Sequence, residues 1–285
     1  NMVQANSISD AFHNAFGVPK LVIGLATASV AAFIFLGGVR RIASFTEKVV
    51  PIMAIFYVLG CTALLIINHE AVPGALRLIF TSAFSTQAVF GGAAGITVQQ
   101  AMRVGVAKGL FSNEAGMGST PHAHAVAKVN HPVEQGFVAM AGVFIDTFVV
   151  LNLTALVILT TKSIPSGKTG AELSQYAFST LYGKGGNIFI AICMFFFAFS
   201  TIIGWYFFGQ ANVKYLFGPK AVKIYSVLAA VCVFLGSLAE VDLVWNMADC
   251  FNSLMVIPNI LALFALNKVI SQVHKDYFKN FNKAK

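Results

Sequence analysis

Three runs, 21–39, 49–68 and 185–213, contain no charged side chain. Each has the length, about 20 residues at 1.5 Å rise, that an α-helix needs to cross a hydrocarbon core roughly 30 Å thick, and each predicts a span. Four further candidates, 88–126, 135–161, 224–239 and 243–266, are interrupted by a charge or a glycine cluster, or are slightly short. Together they predict about seven crossings of an all-α polytopic membrane protein. Segment 70–87, opening EAVPGALRLIFTSAF, is amphipathic but too short to span, so it is expected at the outer interface; AELSQYAFSTLYG, after Lys168, has the same character.

Composition agrees with the pattern. Of 285 residues 57% are hydrophobic and 11% charged, with a mean hydropathy of +0.77, whereas soluble domains carry about 25% charged residues. A water-soluble globule could not hide that much apolar surface. With strict alternation of spans, one side receives Arg40, Arg41, Lys48, Lys128, Lys214, Lys220, Lys223, Lys268, Lys275, Lys279, Lys283 and Lys285. The other receives only Lys20, Arg77, Lys162, Lys168 and Lys184. Cytoplasmic loops are enriched in Lys and Arg, so the asymmetry predicts a cytoplasmic C-terminus and a multi-pass protein of the plasma membrane, the inner membrane if the source is bacterial. It also accounts for most of the +8 net charge without a nucleic-acid partner.

Cys61, Cys193, Cys232 and Cys250 lie in or beside apolar stretches with no CxxC spacing, which indicates neither a zinc knuckle nor a disulfide framework. The chain opens on NMVQANSISD, with no initiator methionine and no signal-like leader. A fragment of a longer protein, with helices upstream, is the expectation.

Backbone polar groups in lipid must be satisfied internally, so the informative places are those where a span violates that rule. From Gly109 to Ser119 the chain reads GLFSNEAGMGS between helix-compatible flanks. Gly116 and Gly118 weaken helix, Ser112 and Asn113 can bond their own backbone, and Pro121 suits the first turn of a restarted helix. A broken span fits, and so does a glycine-rich cytoplasmic loop between two short helices. In transporters such breaks lie near the bilayer midplane and bind substrate and cations with freed N–H and C=O groups.

Two further places stand out. In FFFAFSTIIGWYFFGQAN, Thr201 and Trp205 share a helix face, and the Ser200 and Thr201 hydroxyls are hard oxygen ligands for a small cation. Without other information, hydroxyls bonded to the preceding turn and a packed indole are the simpler account. Asp146 stands alone among apolar residues near mid-span, where an ionisable group costs at least about 2.5 kcal/mol, which makes it a cation ligand, a proton carrier or an interhelical hydrogen-bond partner. Asp249 and Asn252 form a similar pair nearer an interface, and Glu114 in the break could cap N–H groups or bind a cation. His122 and His124, at i, i+2, fall on different helix faces and with His131 and Glu134 are expected in a cytoplasmic turn and not at a metal site.

KGLFSNEAGMGSTPHAHA, GVFIDTFVVLNLTALVILTT, FSTIIGWYF and DCFNSLMVIPN, in this order, and the opening Asn1 to Ser7, resemble the alanine or glycine:cation symporter family along essentially the whole chain. The resemblance implies a leucine-transporter-like fold of two inverted five-helix repeats with the N-terminal helices missing from this chain, which is then a single transporter domain over 1–285. Within it, 1–69 would be the end of the first repeat, 70–87 the interfacial segment, 88–270 the second repeat and 271–285 a basic cytoplasmic tail. It further implies a substrate site at Phe111, Ser112 and Asn113, closed by Thr201, Ile202 and Trp205, with Gln4 facing the pocket. Ser200 and Thr201, with Asp146, would hold the cation.

The implied function is symport of a small neutral amino acid, alanine or glycine, with Na+ by alternating access. No cofactor and no enzymatic chemistry are expected, and the partners are the amino acid, sodium and the lipid bilayer. A proton-coupled symporter of the same fold, with Asp146 as the carrier, is the first alternative. A channel is the second, and the helices lack the continuous polar lining it would need.

Overall fold

The computed structural model describes residues 1–83, 92–114 and 116–281, with side chains described outside 38–46, 83, 92–98 and 280–281. The end of the 70–87 segment, the start of the 88–126 candidate, Ala115, the Arg40 and Arg41 side chains, and Lys283 and Lys285 lie outside the described residues. The described chain is helical: α1 (Met2–Phe16), α2 (Lys20–Leu36), α3 (Gly38–Ile67), α4 (Ala71–Ala83), α5 (Gly92–Asn113) and α6 (Thr120–His124) come first. They are followed by α7 (Pro132–Phe144), a π-helical turn (Ile145–Leu151), α8 (Asn152–Thr160), α9 (Gly170–Tyr182), α10 (Lys184–Phe217), α11 (Pro219–Leu238) and α12 (Val241–Asp276). A second π turn, Tyr277–Phe281, ends it, so the segment expected as a basic tail is helical as far as it is described.

Five helical stretches among the described residues are long and apolar enough to cross a membrane: Glu47–Ile67, Pro132–Thr160, Lys184–Phe217, Pro219–Leu238 and Val241–Lys279. The other two expected crossings are different in kind. Helix α2 is apolar but has 17 residues, and the 88–126 candidate divides into α5 and the single-turn α6.

The chain forms two compact units, the first from Asn1–Ser85 and Asn152–Asn246, the second from Thr86–Leu151 and Met247–Lys285. In the first, α1 packs on α10 and α11, and α2 on α11. Ala5, Ile8, Ile34, Phe35, Phe199, Ile202, Tyr206 and Val233 form its core. Lipid is as apolar as leucine, so burial alone does not hold membrane helices together; close packing and hydrogen bonds do.

Both devices are present in the first unit. The Phe35 and Tyr206 rings stack with centroids 3.7 Å apart, and the Tyr206 hydroxyl lies 2.6 Å from Ser226 Oγ. A Cβ at Gly24 would come within 1.9 Å of Ser237 Oγ, so only glycine permits the observed approach of α2 to α11. Asn6 Nδ2 donates to the carbonyls of Gly236 (3.2 Å) and Ala239 (2.7 Å) at the end of α11, where helix carbonyls lose their intrahelical partners. Tyr57 to Thr154 at 2.6 Å and Asn68 Nδ2 to the Thr160 carbonyl at 2.9 Å tie α3 to α8.

In the second unit the apolar residues of α12 face outward, with Phe264 78% and Leu261 65% exposed. His131 caps α7 by accepting the Val133 N–H at Nδ1, 3.2 Å away, and its Nε2 lies 3.5 Å from Asp276, which fastens the end of α12 to the start of α7.

Candidate functional site

Helix α5 stops at Asn113, within the glycine-rich stretch that the sequence marks as a break. Glu114 takes a left-handed φ of 51°, and Gly116 and Gly118 follow at 79° and 78°. A side chain at Gly118 would also come within 2.9 Å of Asn259 Oδ1 on α12. Helix resumes at Thr120, with Pro121 in the first turn, where a missing N–H costs nothing. The Glu114 carboxylate accepts hydrogen bonds from Ser119 Oγ (2.9 Å) and Thr120 Oγ1 (3.4 Å), which pins the two ends of the break together.

The last turn of α5 presents its polar side chains to the π turn. Ser112 Oγ donates to Asp146 Oδ2 at 2.8 Å, and Thr147 Oγ1 donates to Asn113 Oδ1 at 2.8 Å. The lone mid-span aspartate therefore has a partner, contributed by the residue type expected at the break. A cavity of about 690 Å³ opens beside Asn113, Glu114 and Gly116, and reaches Gln135 and Asn259.

A second polar contact in this unit was not anticipated as a pair. Lys108, inside the 88–126 candidate, donates to both oxygens of Asp249 at 2.9 Å. Asp249 borders a cavity of about 460 Å³ together with Arg103, Leu110, Met117 and Asn252. A lysine and an aspartate each interrupting an apolar helix were the signal, but nothing in their sequence positions links residues 141 apart. Thr147 was missed too, being adjacent to Asp146 in a segment that ordinary helical spacing does not describe.

Of the histidines, His122 Nδ1 lies 3.0 Å from the Ser119 carbonyl, and Gln135 Nε2 donates to His124 Nδ1 at 2.6 Å. Both are engaged in shaping the turn around α6.

The remaining predicted site residues belong to the first unit. Ser200 Oγ and Thr201 Oγ1 each donate to the Phe197 carbonyl at 2.9 Å, the back-bonding that the simpler account expects, with their lone pairs still available. Trp205 meets Phe208 edge-on at 5.8 Å. Ile202 is fully buried in the core with Ala5 and Ile8, so its side chain backs the Thr201 and Trp205 face and does not share it. Gln4 is 9% exposed, and its Oε1 has no hydrogen-bond partner among the described residues. A buried acceptor left this way costs about 1–3 kcal/mol, and Asn1 Oδ1, Ser9 Oγ, Gln210 Oε1 and Asn252 Nδ2 likewise have no partner among the described residues. The expected cation set of Ser200, Thr201 and Asp146 is thus divided between the units.

Long apolar helices and a break lined by hydroxyl, amide and carboxylate side chains define a multi-pass helical membrane protein with polar chemistry inside its spans. The chain belongs to the sodium:alanine symporter family, whose family model matches residues 1–285. It is 40% identical over 98% of its length to the amino-acid carrier protein AlsT of Bacillus subtilis, and 39% identical over 98% to the sodium/alanine symporter AgcS of Methanococcus maripaludis. An uncharacterized transporter of Haemophilus influenzae shares 41% over 97%. The chain covers 61%, 59% and 63% of the lengths of the Haemophilus, Bacillus and Methanococcus proteins, respectively.

Proposed function

We propose that the protein to which this chain belongs carries a small neutral amino acid, alanine or glycine, across the plasma membrane together with sodium by alternating access, with the C-terminus in the cytoplasm. The observation that carries the reading is the interruption at Asn113 to Ser119, where α5 ends with Ser112 and Asn113 hydrogen-bonded to Asp146 and Thr147. Exposed backbone at such a break offers N–H groups to a carboxylate and carbonyls to a cation. Phe111, Ser112 and Asn113 supply this part of the site. Thr201 and Trp205, backed by Ile202, supply a wall for a methyl-sized side chain, Ser200 and Thr201 supply oxygen for sodium, and the unpartnered Gln4 oxygen is an acceptor for the substrate ammonium.

The fold proposed for this activity is the leucine-transporter-like inverted repeat. The family, with AlsT an amino-acid carrier protein and AgcS a sodium/alanine symporter, supports coupling to sodium and an amino-acid substrate. A relative from Bacillus sp., 38% identical over 99% of this chain, is a sodium/proton-dependent alanine carrier, which together with Asp146 favours a proton-coupled form as the second reading.

Radiolabelled alanine uptake by the full-length protein in proteoliposomes tests the proposal. Accumulation that requires an inward sodium gradient is the expected result, and Thr201→Ala is expected to raise the half-saturating sodium concentration about tenfold, equivalent to about 1.4 kcal/mol. Uptake indifferent to sodium but collapsed by dissipating a pH gradient would establish the proton-coupled reading instead.

A further inference from the structure

We propose that the lysines at the end of α12, Lys268, Lys275 and Lys279, form a docking surface for the anionic phospholipid headgroups of the leaflet through which that helix emerges. No Asp, Glu, Lys, Arg or His lies between Asp249 and Lys268. As helix, this stretch rises about 28 Å, against roughly 30 Å of hydrocarbon, so Lys268 stands where the hydrocarbon ends. The chain stays helical to Asp276 and continues as a π turn to Phe281, which carries Lys275 and Lys279 about 10 and 15 Å further. The headgroup layer adds about 5–7 Å on each side, and its negative potential reaches roughly another 8–10 Å. With the length of their own stems, all three ammonium groups are within that field.

The contacts with α7, in the same compact unit, decide which way these lysines point. Asp276 lies 3.5 Å from His131 Nε2, and the Tyr277 ring lies 5.0 Å from His131 and 6.1 Å from Phe137. Val273 and Tyr277 are accordingly half-buried. Lys268 and Lys275, two turns apart, share one face to within about 20°, and Val273 is about 140° round the helix from Lys268. The packed side and the basic side are therefore opposed. All three lysines are exposed, and none is ion-paired with a described residue. The negative end of a helix attracts cations only within its last turn; that accounts for Lys275 but not for Lys268, two turns earlier. Lys283 and Lys285 follow in the sequence, and a cluster of lysines just beyond a span is the composition that holds anionic lipid.

The proposal does not depend on the solute carried, and its test does not use transport. Phosphatidylglycerol and phosphatidylcholine with matched acyl chains are titrated onto the full-length protein in neutral detergent, and bound lipid is counted by native mass spectrometry. The wild type should prefer phosphatidylglycerol at least about tenfold at low salt, and less as salt rises. The triple variant Lys268→Gln, Lys275→Gln, Lys279→Gln should lose about tenfold of that preference, with a thermal midpoint within about a degree of the wild type, and the corresponding triple arginine variant should keep it. Lys162→Gln, Lys168→Gln, Lys184→Gln removes the same charge elsewhere and should leave the preference within about twofold. Equal losses in the two glutamine triples would reduce the effect to net charge and overturn the docking surface. So would a preference unchanged in the first triple, as when other parts of the full-length protein cover the face. Displacement of the lipid by about 10 mM inorganic phosphate would make this an anion site rather than a lipid surface, and would overturn the proposal as well.

Discussion

At the scale of single residues, the chain places few charges in its helices, and some of them are paired with one another. Lys108 and Asp249 are one such pair: a charge within an apolar helix costs up to about 2.5–3.5 kcal/mol by insertion scales, and a lysine that donates to both carboxylate oxygens offsets part of that. Both side chains are about two-fifths exposed, 39% and 41%, which keeps the pair's contribution below that ceiling. Lys108→Met is expected to reduce alanine uptake of the full-length protein at least tenfold. The exchanged pair Lys108→Asp with Asp249→Lys should recover most of it, as a transport assay on the three proteins would show. Asp146 differs in having a neutral partner, its carboxylate accepting from Ser112 Oγ at 2.8 Å.

At the scale of elements, the break between α5 and α6 is the part of the structure on which the site depends. Its backbone was legible in the sequence because Gly116, Gly118 and Pro121 each act locally: the glycines adopt φ near +80° without steric cost, and the proline opens the next helix. The π turn at Ile145–Leu151 was not legible, since IDTFVVL has no composition that distinguishes it from α-helix. Gly118→Ala combines a left-handed φ of 78° with a Cβ 2.9 Å from Asn259 Oδ1. A left-handed alanine costs about 1–2 kcal/mol before the contact is counted. The variant should lower the thermal midpoint in detergent by several degrees and cut uptake more than tenfold, whereas Gly136→Ala, with open space around its Cβ, should leave the midpoint within about a degree.

At the scale of the whole molecule, the excess of lysine and arginine on one side of the seven spans expected from the sequence predicts a cytoplasmic C-terminus. A fluorescent reporter fused after the last residue of the full-length protein should be bright, and an export-dependent phosphatase at the same position inactive. The reverse pattern would place Lys268, Lys275 and Lys279 on the outer side. Hydropathy was a sound guide to the longest spans, because length and apolarity are summed along the chain. It was a weaker guide at 88–126, where a glycine-rich break divides one candidate into two helices, and at the C-terminus, where α12 runs on to Asp276 despite its lysines because helical continuity does not require apolar residues.

The sequence by itself determined that this is a helical membrane protein, where its chain breaks, and which polar residues lie within apolar stretches. These are local properties, fixed by backbone sterics and by the cost of charge in lipid. Only the tertiary structure decided which polar residues meet. Asp146 meets Ser112, Lys108 meets Asp249 across 141 positions, Ile202 turns to the core, and Gln4 is buried with an oxygen that has no partner among the described residues. Pairing of this kind depends on how helices pack and on where a π turn shifts the helical face, and neither is encoded in residue spacing along one segment.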